Sequence, residues 1–306
     1  MTLRLVRAAI LLPFVTPVAL ALALVAPPAR SDVRTPRRAQ VAMPALGVAA
    51  ALPAAPALVG VQGGDELPHG VALDVVLSEA NTRFATGGAS ADRAFNVRRA
   101  ARLLDGAVIP PHGTLSFNGV VGPRTRRAGF HEAPVIVSGR ITDGVGGGVC
   151  QVAGTLHTAA LRAGLEIARK QSHSRPSTYL PPGFDAMVAW PESDLVLENP
   201  YAFAVLVDVE LTGPVLHVTL RGDDGAVPAT VTSTIEEELP ARELIVEDPT
   251  LVPGQSLVDY EAVDGRVVRV TRTRGERSDS WVVRYPAHAR VVRVGPAIEG
   301  SVVAAL

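Results

Sequence analysis

The spacing of apolar residues along this chain changes period several times, and each change marks an element. Val149, Val152, Ala153, Leu156, Ala160 and Ala163 recur at i, i+3, i+4, i+7, i+11 and i+14, one apolar face of a helix that Gly164 closes. A second helical stripe lies in AFNVRRAARLLDG. Ser90 and Asp92 offer N-cap chemistry before it, Phe95, Ala101 and Leu104 share its face, and Gly106 ends it. Alternation takes over in AVLVDVEL and VLHVTLRG, which read as an antiparallel pair of strands. Further strands are expected at VALDVVL (71–77), at Pro134 to Ser138 before a glycine loop, in LEIARKQ after the long helix, and in FDAMVAW and DLVLENP. Turn chemistry at Pro110, Pro111 and Gly113, and again from Tyr179 to Gly183, separates them. The pattern is α+β, a helix packed on an antiparallel sheet.

Beyond about Val231 the texture changes to short β-prone runs separated by Pro-Gly, Asp-Gly and Arg-Gly turns, a small all-β module at 231–296. Asp264-Gly265, between two alternating runs, is its best hairpin signal. At the other end, Arg4 and Arg7 precede an apolar run from Ala8 to Ala26, the pattern of an export signal or an uncleaved anchor at 1–29. An Ala/Pro-rich stretch at 30–66 reads as a semi-extended linker. The main folded domain then occupies 67–222, and the protein is expected to be exported, with a possible membrane tether.

Composition narrows the function. The formal net charge is −1 over 306 residues, which argues against nucleic acid as a partner. Aromatic residues make up 4%, so Ala, Val and Leu must build the core. A single cysteine, Cys150, means that no intrachain disulfide supports an exported fold.

That cysteine carries the candidate chemistry. Gly146, Gly147 and Gly148 lead directly into Cys150 at the start of the clearest helix. A helix start favours thiolate over thiol, and glycines let backbone approach a substrate closely. A cysteine nucleophile needs a base and a group to orient it. His157, about two turns along the same helix, is too far to take the proton and reads as a rim residue. His173, in KQSHSRP, can return beside the helix start, and Asp185, in LPPGFDAMV, can accept from its imidazole. The alternative is that His173 caps a turn and Asp185 starts a strand. Gln151 and the N–H groups of Gly147 and Gly148 are candidate oxyanion donors, with Asn118 a further candidate on the substrate side. Asn118 and Asn199 can equally be turn formers. Arg124, Arg126 and Arg127 form a basic loop, solvated by default and capable of meeting an anionic wall polymer. No metal motif, CxxC pair or phosphate loop occurs, so neither metal nor cofactor is expected.

Several pieces occur together in a recognisable order: FNVRRAARLLDGAVIPPHGTLSFNGVVG, RRAGFHEAPVI, GGGVCQVAGTLHTAAL, His173-Ser174, YLPPGFDAMV and DLVLENP. Over about residues 80–222 they resemble the VanW family, named for an accessory protein of vancomycin-resistance clusters. The resemblance implies an exported or envelope-associated bacterial protein, whose partner is peptidoglycan or another wall polymer. The C-terminal run, with VEDPTLVPGQ and VVRVGP, is similar to the small five-glycine envelope module, which implies wall binding. Cys150, His173 and Asp185, in that order around a helix and strand, look like a transglutaminase-like site. Ala153, Gly154, His157 and Leu115 depart from the usual VanW pattern, and bear on substrate preference. Two functions stand on this reading: a cysteine amide hydrolase or acyltransferase acting on peptidoglycan peptides, and a non-catalytic wall-binding or scaffold protein in which Cys150 packs.

Overall fold

A computed structural model describes residues 73–297, all within one compact unit. The leader, the linker and the first two residues of the strand expected at 71–77 lie outside the described residues.

The central sheet has the order β1-β9-β8-β2, built from β1 (Val75–Arg83), β2 (Val108–Ile109), β8 (Val205–Thr212) and β9 (Val215–Gly222). The alternating pair β8 and β9 forms the expected hairpin, with Thr212 opposite Val215. Strand β1 begins later than the apolar run suggests and continues through SEANTR, because β9 offers partners as far as Arg83. Its polar residues are used inward: Ser78 Oγ donates to Ala159 O (2.7 Å), and Thr82 Oγ1 shares a hydrogen bond with Thr155 Oγ1 (2.9 Å). Two helices pack on this sheet, α1 (Ala91–Leu104) and α3 (Val149–Arg162). The face of α3 set by the hydrophobic repeat is fully interior, with Val152, Ala153, Leu156 and Ala160 at 0% exposure. Small residues on α3 let the sheet and α1 approach closely, which is how an aromatic-poor chain closes its core.

Around this core lie smaller sheets. Strands β3 (Thr114–Ser116), β6 (Glu166–Arg169) and β7 (Val196–Glu198) form one, with α2 (Phe117–Val121) following β3. Strand β4 (Glu132–Val137) pairs with β5 (Arg140–Val145) in a hairpin that hydropathy did not reveal. Its turn has Ser138 and Gly139 at positive φ, and β5 carries too few apolar residues to announce a strand. FDAMVAW is not a strand. Only isolated bridges join Gln171 to Met187 and Ala189 to Ser193. Phe184, Ala186 and Val188 are buried, but so is Asp185, and Val188 turns its main chain to the Cys150 sulfur where a strand would have a ladder partner.

The C-terminal region contains two three-stranded sheets. One has the order β10-β13-β14, from β10 (Thr230–Leu239), β13 (Gly265–Arg274) and β14 (Arg277–Tyr285). The other has the order β11-β15-β12, from β11 (Glu243–Glu247), β12 (Ser256–Tyr260) and β15 (Arg290–Val294), with β11 and β15 parallel. The expected Asp264-Gly265 hairpin is absent: β12 pairs with β15, and β13 with β10 and β14. Asp264 Oδ1 accepts the Ala241 N–H (2.8 Å), and Gly265 is required by crowding, since a Cβ there would lie 2.4 Å from Tyr285 O. The hairpin instead turns between Arg274 and Arg277.

The β10-β13-β14 sheet is tied to the α3 end of the core. Arg272, 5% exposed, donates to Leu165 O (2.9 Å) and Glu166 Oε2 (2.9 Å), and also pairs with Asp279. Arg274 adds bonds to Gly164 O and Glu166.

Candidate active site

The glycine loop is built to present one residue. Gly148 is the N-cap of α3 with φ 104°, a conformation that other residues adopt only under strain, and Cys150 is the second helical residue. A Cβ at Gly147 would stand 2.5 Å from Pro134 O, so that position has no room for a side chain against β4. From the opposite side, buried Asn96 of α1 clamps the loop. Its Nδ2 donates to His131 O (2.9 Å) and Gly147 O (3.0 Å), and its Oδ1 accepts the His131 N–H (2.8 Å). The N–H of Val149 bonds to Gly146 O, and that of Gln151 to Gly148 O. Between them the Cys150 N–H is one of the orphan donors every helix start leaves, without a main-chain partner among the described residues.

Cys150, His173 and Asp185 come together. The Cys150 thiol is half-buried, stands near enough to the His173 imidazole for each to shift the other's charge, and lies 3.5 Å from both the N and the O of Val188. His173 Nδ1 is 2.7 Å from Asp185 Oδ2, which also accepts the His173 main-chain N–H (2.8 Å). With Nδ1–H donating to a carboxylate, Nε2 is left for the sulfur. Asp185 is fully buried, and its Oδ1 accepts a short hydrogen bond from the Tyr285 hydroxyl on β14. The Gly183 N–H in turn donates to Tyr285 Oη (2.7 Å).

The electrostatics follow from this chain of contacts. Burial pushes the Cys150 thiol up. The neighbouring His173 and its charge, the Val188 contact and Arg124 outweigh it, and the thiol lies below its ordinary value. Burial pulls His173 down, but its bond to Asp185 and the neighbouring Cys150 sulfur raise it to about 9. Burial would raise Asp185, yet His173 and Lys170 hold it at about 2. All three shifts run toward the charged forms, carboxylate, imidazolium and thiolate. The pair opens onto a cleft of about 1050 Å³ lined by the glycine loop, Arg93, Arg124 and Tyr179.

Other expected site residues have different places. The Gln151 amide is spent on structure: Nε2 donates to Arg83 O (2.8 Å) and Thr82 Oγ1 (3.0 Å), while Oε1 accepts from Arg93 (2.9 Å). Both amide hydrogens are committed, so the side chain is a brace between α3 and β1 and not an oxyanion donor. Asn118 is likewise engaged, donating to Ser193 O (2.9 Å) and accepting from Arg124 Nη2 (2.6 Å), so it acts on the cleft through that arginine. His157 is no rim residue. It is 1% exposed, donates through Nδ1 to Phe184 O (2.8 Å), and burial lowers it to about 4, so it sits neutral behind Asp185. Asn199 ties Ile109, Pro110 and Phe203 carbonyls together as a structural residue. Among the described residues no three His, Cys, Asp or Glu side chains converge as metal ligands would.

Sequence reasoning missed Asn96, Arg93 and Tyr285. Asn96 had a signal, a polar residue inside the apolar stripe of α1. Tyr285 had none, because it arrives from 100 residues away.

Residues 92–221 match the family model described as VanW like protein. The chain is 43% identical over 132 residues to the uncharacterized protein YoaR of Bacillus subtilis (strain 168), covering 43% of this chain and 44% of that protein. It is 27% identical over 113 residues to the vancomycin B-type resistance protein VanW of Enterococcus faecalis (strain ATCC 700802 / V583), covering 35% and 41%. The chain thus spans less than half the length of either relative.

Proposed function

From a chain that carries a VanW-like domain at residues 92–221, we propose a cysteine-dependent acyl transfer on peptide amides of the bacterial cell envelope. The observation that carries this is that Cys150 and His173 line one open cleft, with His173 hydrogen-bonded to a buried Asp185. The Cys150 thiolate attacks the amide carbon, and the carbonyl π pair moves onto oxygen. The Cys150 N–H and the positive end of α3 face the developing oxyanion. As the C–N bond breaks, the His173 imidazolium gives its proton to the departing amine, leaving a thioester and neutral imidazole. Water or an acceptor amine then attacks, losing a proton to His173, and the thiolate leaves. Asp185 keeps the imidazole oriented and supports its charge throughout. Hydrolysis and transpeptidation share every step up to the thioester.

The envelope setting rests on the printed name of the enterococcal relative, a vancomycin resistance protein, and on the N-terminal run of Arg4, Arg7 and the apolar residues after them. The same considerations make peptidoglycan stem peptides the natural substrates, and the C-terminal sheets a wall-contacting region. Labelling with iodoacetamide tests the chemistry. Each unit by which a thiol's pKa falls adds about tenfold to its thiolate fraction below that pKa. Cys150 is therefore expected to react faster at pH 6.5 in the folded protein than in urea, with His173→Ala removing the advantage. A thiol that reacts only after unfolding assigns the domain to the non-catalytic wall-binding role.

A further inference from the structure

Two arginines stand beside the thiol without a carboxylate of their own among the described residues. Arg93 on α1 and Arg124 in the loop after α2 both line the cleft around Cys150. The glycine loop seats their stems: a Cβ at Gly148 would lie 3.1 Å from Arg93 Cγ, and one at Gly146 would lie 2.8 Å from Arg124 Cβ. Neutral groups hold their heads. Arg93 Nη2 donates to Gln151 Oε1 (2.9 Å), with the guanidinium 6.0 Å from the Tyr179 ring centre. Arg124 donates from Nη1 to Gly122 O (2.8 Å) and from Nη2 to Asn118 Oδ1 (2.6 Å).

Some arginines elsewhere meet acids, as Arg126 meets Glu132, Arg221 meets Asp208 and Arg272 meets Glu166. Among the described residues neither Arg93 nor Arg124 forms such a pair. Asp194, whose charge reaches Arg124, is itself taken by Ser116 Oγ (2.5 Å) and the Asn118 N–H (2.8 Å). The ionised Cys150 sulfur is one negative charge shared by both cations, so the pair keeps positive charge for a ligand to meet. Each guanidinium has five N–H donors, so most of those on Arg93 and more than half of those on Arg124 remain unused by described groups.

We propose that Arg93 and Arg124 form a carboxylate clamp, which binds a free carboxylate of the peptide whose amide lies over Cys150. The planar, forked donors suit a carboxylate's two oxygens. Braced by Asn118 and Gln151, the clamp is pre-shaped, so little side-chain entropy is lost when the anion binds. It rests on the acyl-transfer reading and names the substrate class of that site: peptides with a carboxylate close to the attacked bond.

Paired alkylation of the full chain reads the clamp without a known substrate. The rate of Cys150 with iodoacetate is divided by that with iodoacetamide, which cancels any change in thiolate fraction, and the quotient is referred to the urea-unfolded protein. The clamp predicts a quotient raised by about fivefold or more at low salt, falling as salt screens it. Arg93→Gln and Arg124→Gln should each lower it toward the unfolded value, and Arg124→Lys, which keeps the charge without the fork, should keep only part of it, with thermal melts verifying that each variant is folded. In a second arm, N-acetyl-dialanine, its C-terminal amide, and N-acetyl-alanyl-glutamate amidated at its α-carboxyl compete against iodoacetamide. Protection by the first assigns an α-carboxylate, and by the third a side-chain carboxylate. Equal protection by the neutral amide, or stronger protection by phenyl phosphate, overturns the assignment. Fast iodoacetamide labelling with an unraised quotient removes the clamp and leaves the nucleophile standing, whereas slow labelling by both reagents removes the nucleophile as well.

Discussion

Asp185 has no spare oxygen: Oδ2 takes two hydrogen bonds from His173, and Oδ1 takes the Tyr285 hydroxyl. Tyr285→Phe leaves Oδ1 and the Gly183 N–H unsatisfied, each a buried group that costs about 1–3 kcal/mol when stranded. Lower melting temperature and slower Cys150 labelling are expected together, since a carboxylate held at one end can rotate away from the imidazole. The pH dependence has a defined sign. With His173 at about 9, turnover should rise as Cys150 loses its proton and fall as pH climbs through about 9, where the leaving amine loses its proton donor. A pH–rate profile whose alkaline limb lies near 6.5 would contradict this. Asp185, at about 2 against an ordinary 3.8, contributes stability that is complete above 3.8 and disappears as pH falls toward 2. Denaturation of Asp185→Asn at several pH values should accordingly differ most from wild type near neutrality and converge on it in acid.

Among the elements, the glycine loop depends on contacts more than on propensity. Gly147→Ala would place a methyl group against two main-chain carbonyls, Pro134 O at 2.5 Å and Ala133 O at 2.6 Å. Backbone on both sides cannot yield as a side-chain end can, so a loss of about 2–4 kcal/mol in urea denaturation is expected. Gly87→Ala is the control, because a Cβ there meets nothing within 4 Å and φ is −117°. Helix α3 shows the same economy. Its small inward residues bring α1 and β1 close enough for Asn96 and Thr82 to reach the loop and the brace of Gln151.

For the whole molecule, the consequence is that the site extends past residues 92–221, the part that matches the family model. Tyr285 lies beyond that boundary on β14, and Arg272 on β13 locks the same sheet to Leu165 and Glu166. Arg272→Ala should therefore both destabilise the protein, by about 2 kcal/mol for a lost buried charge-assisted contact, and slow Cys150 labelling as Tyr285→Phe does. Arg290→Ala, at an exposed pair on β15, should leave the labelling rate unchanged. Equal labelling rates in the Arg272 variant and wild type would show that the C-terminal sheets do not act on the site.

Local information was enough for α1, α3 and the β8-β9 hairpin, because each repeats one period over many residues and closes on a glycine or a turn. Cys150 at a glycine-led helix start, followed by His173 and Asp185, was also legible as residue types in a workable order. Everything that required two distant segments to meet was not. A one-dimensional pattern records which residues prefer burial, not which neighbours they acquire. FDAMVAW therefore read as a strand until its main chain turned to the sulfur, and Asp264-Gly265 read as a hairpin until β12 chose β15. Gln151, Arg93, Arg124 and Tyr285 received their partners from folding alone, since hydrogen bonds and unpaired charge exist only once the chain has closed on itself.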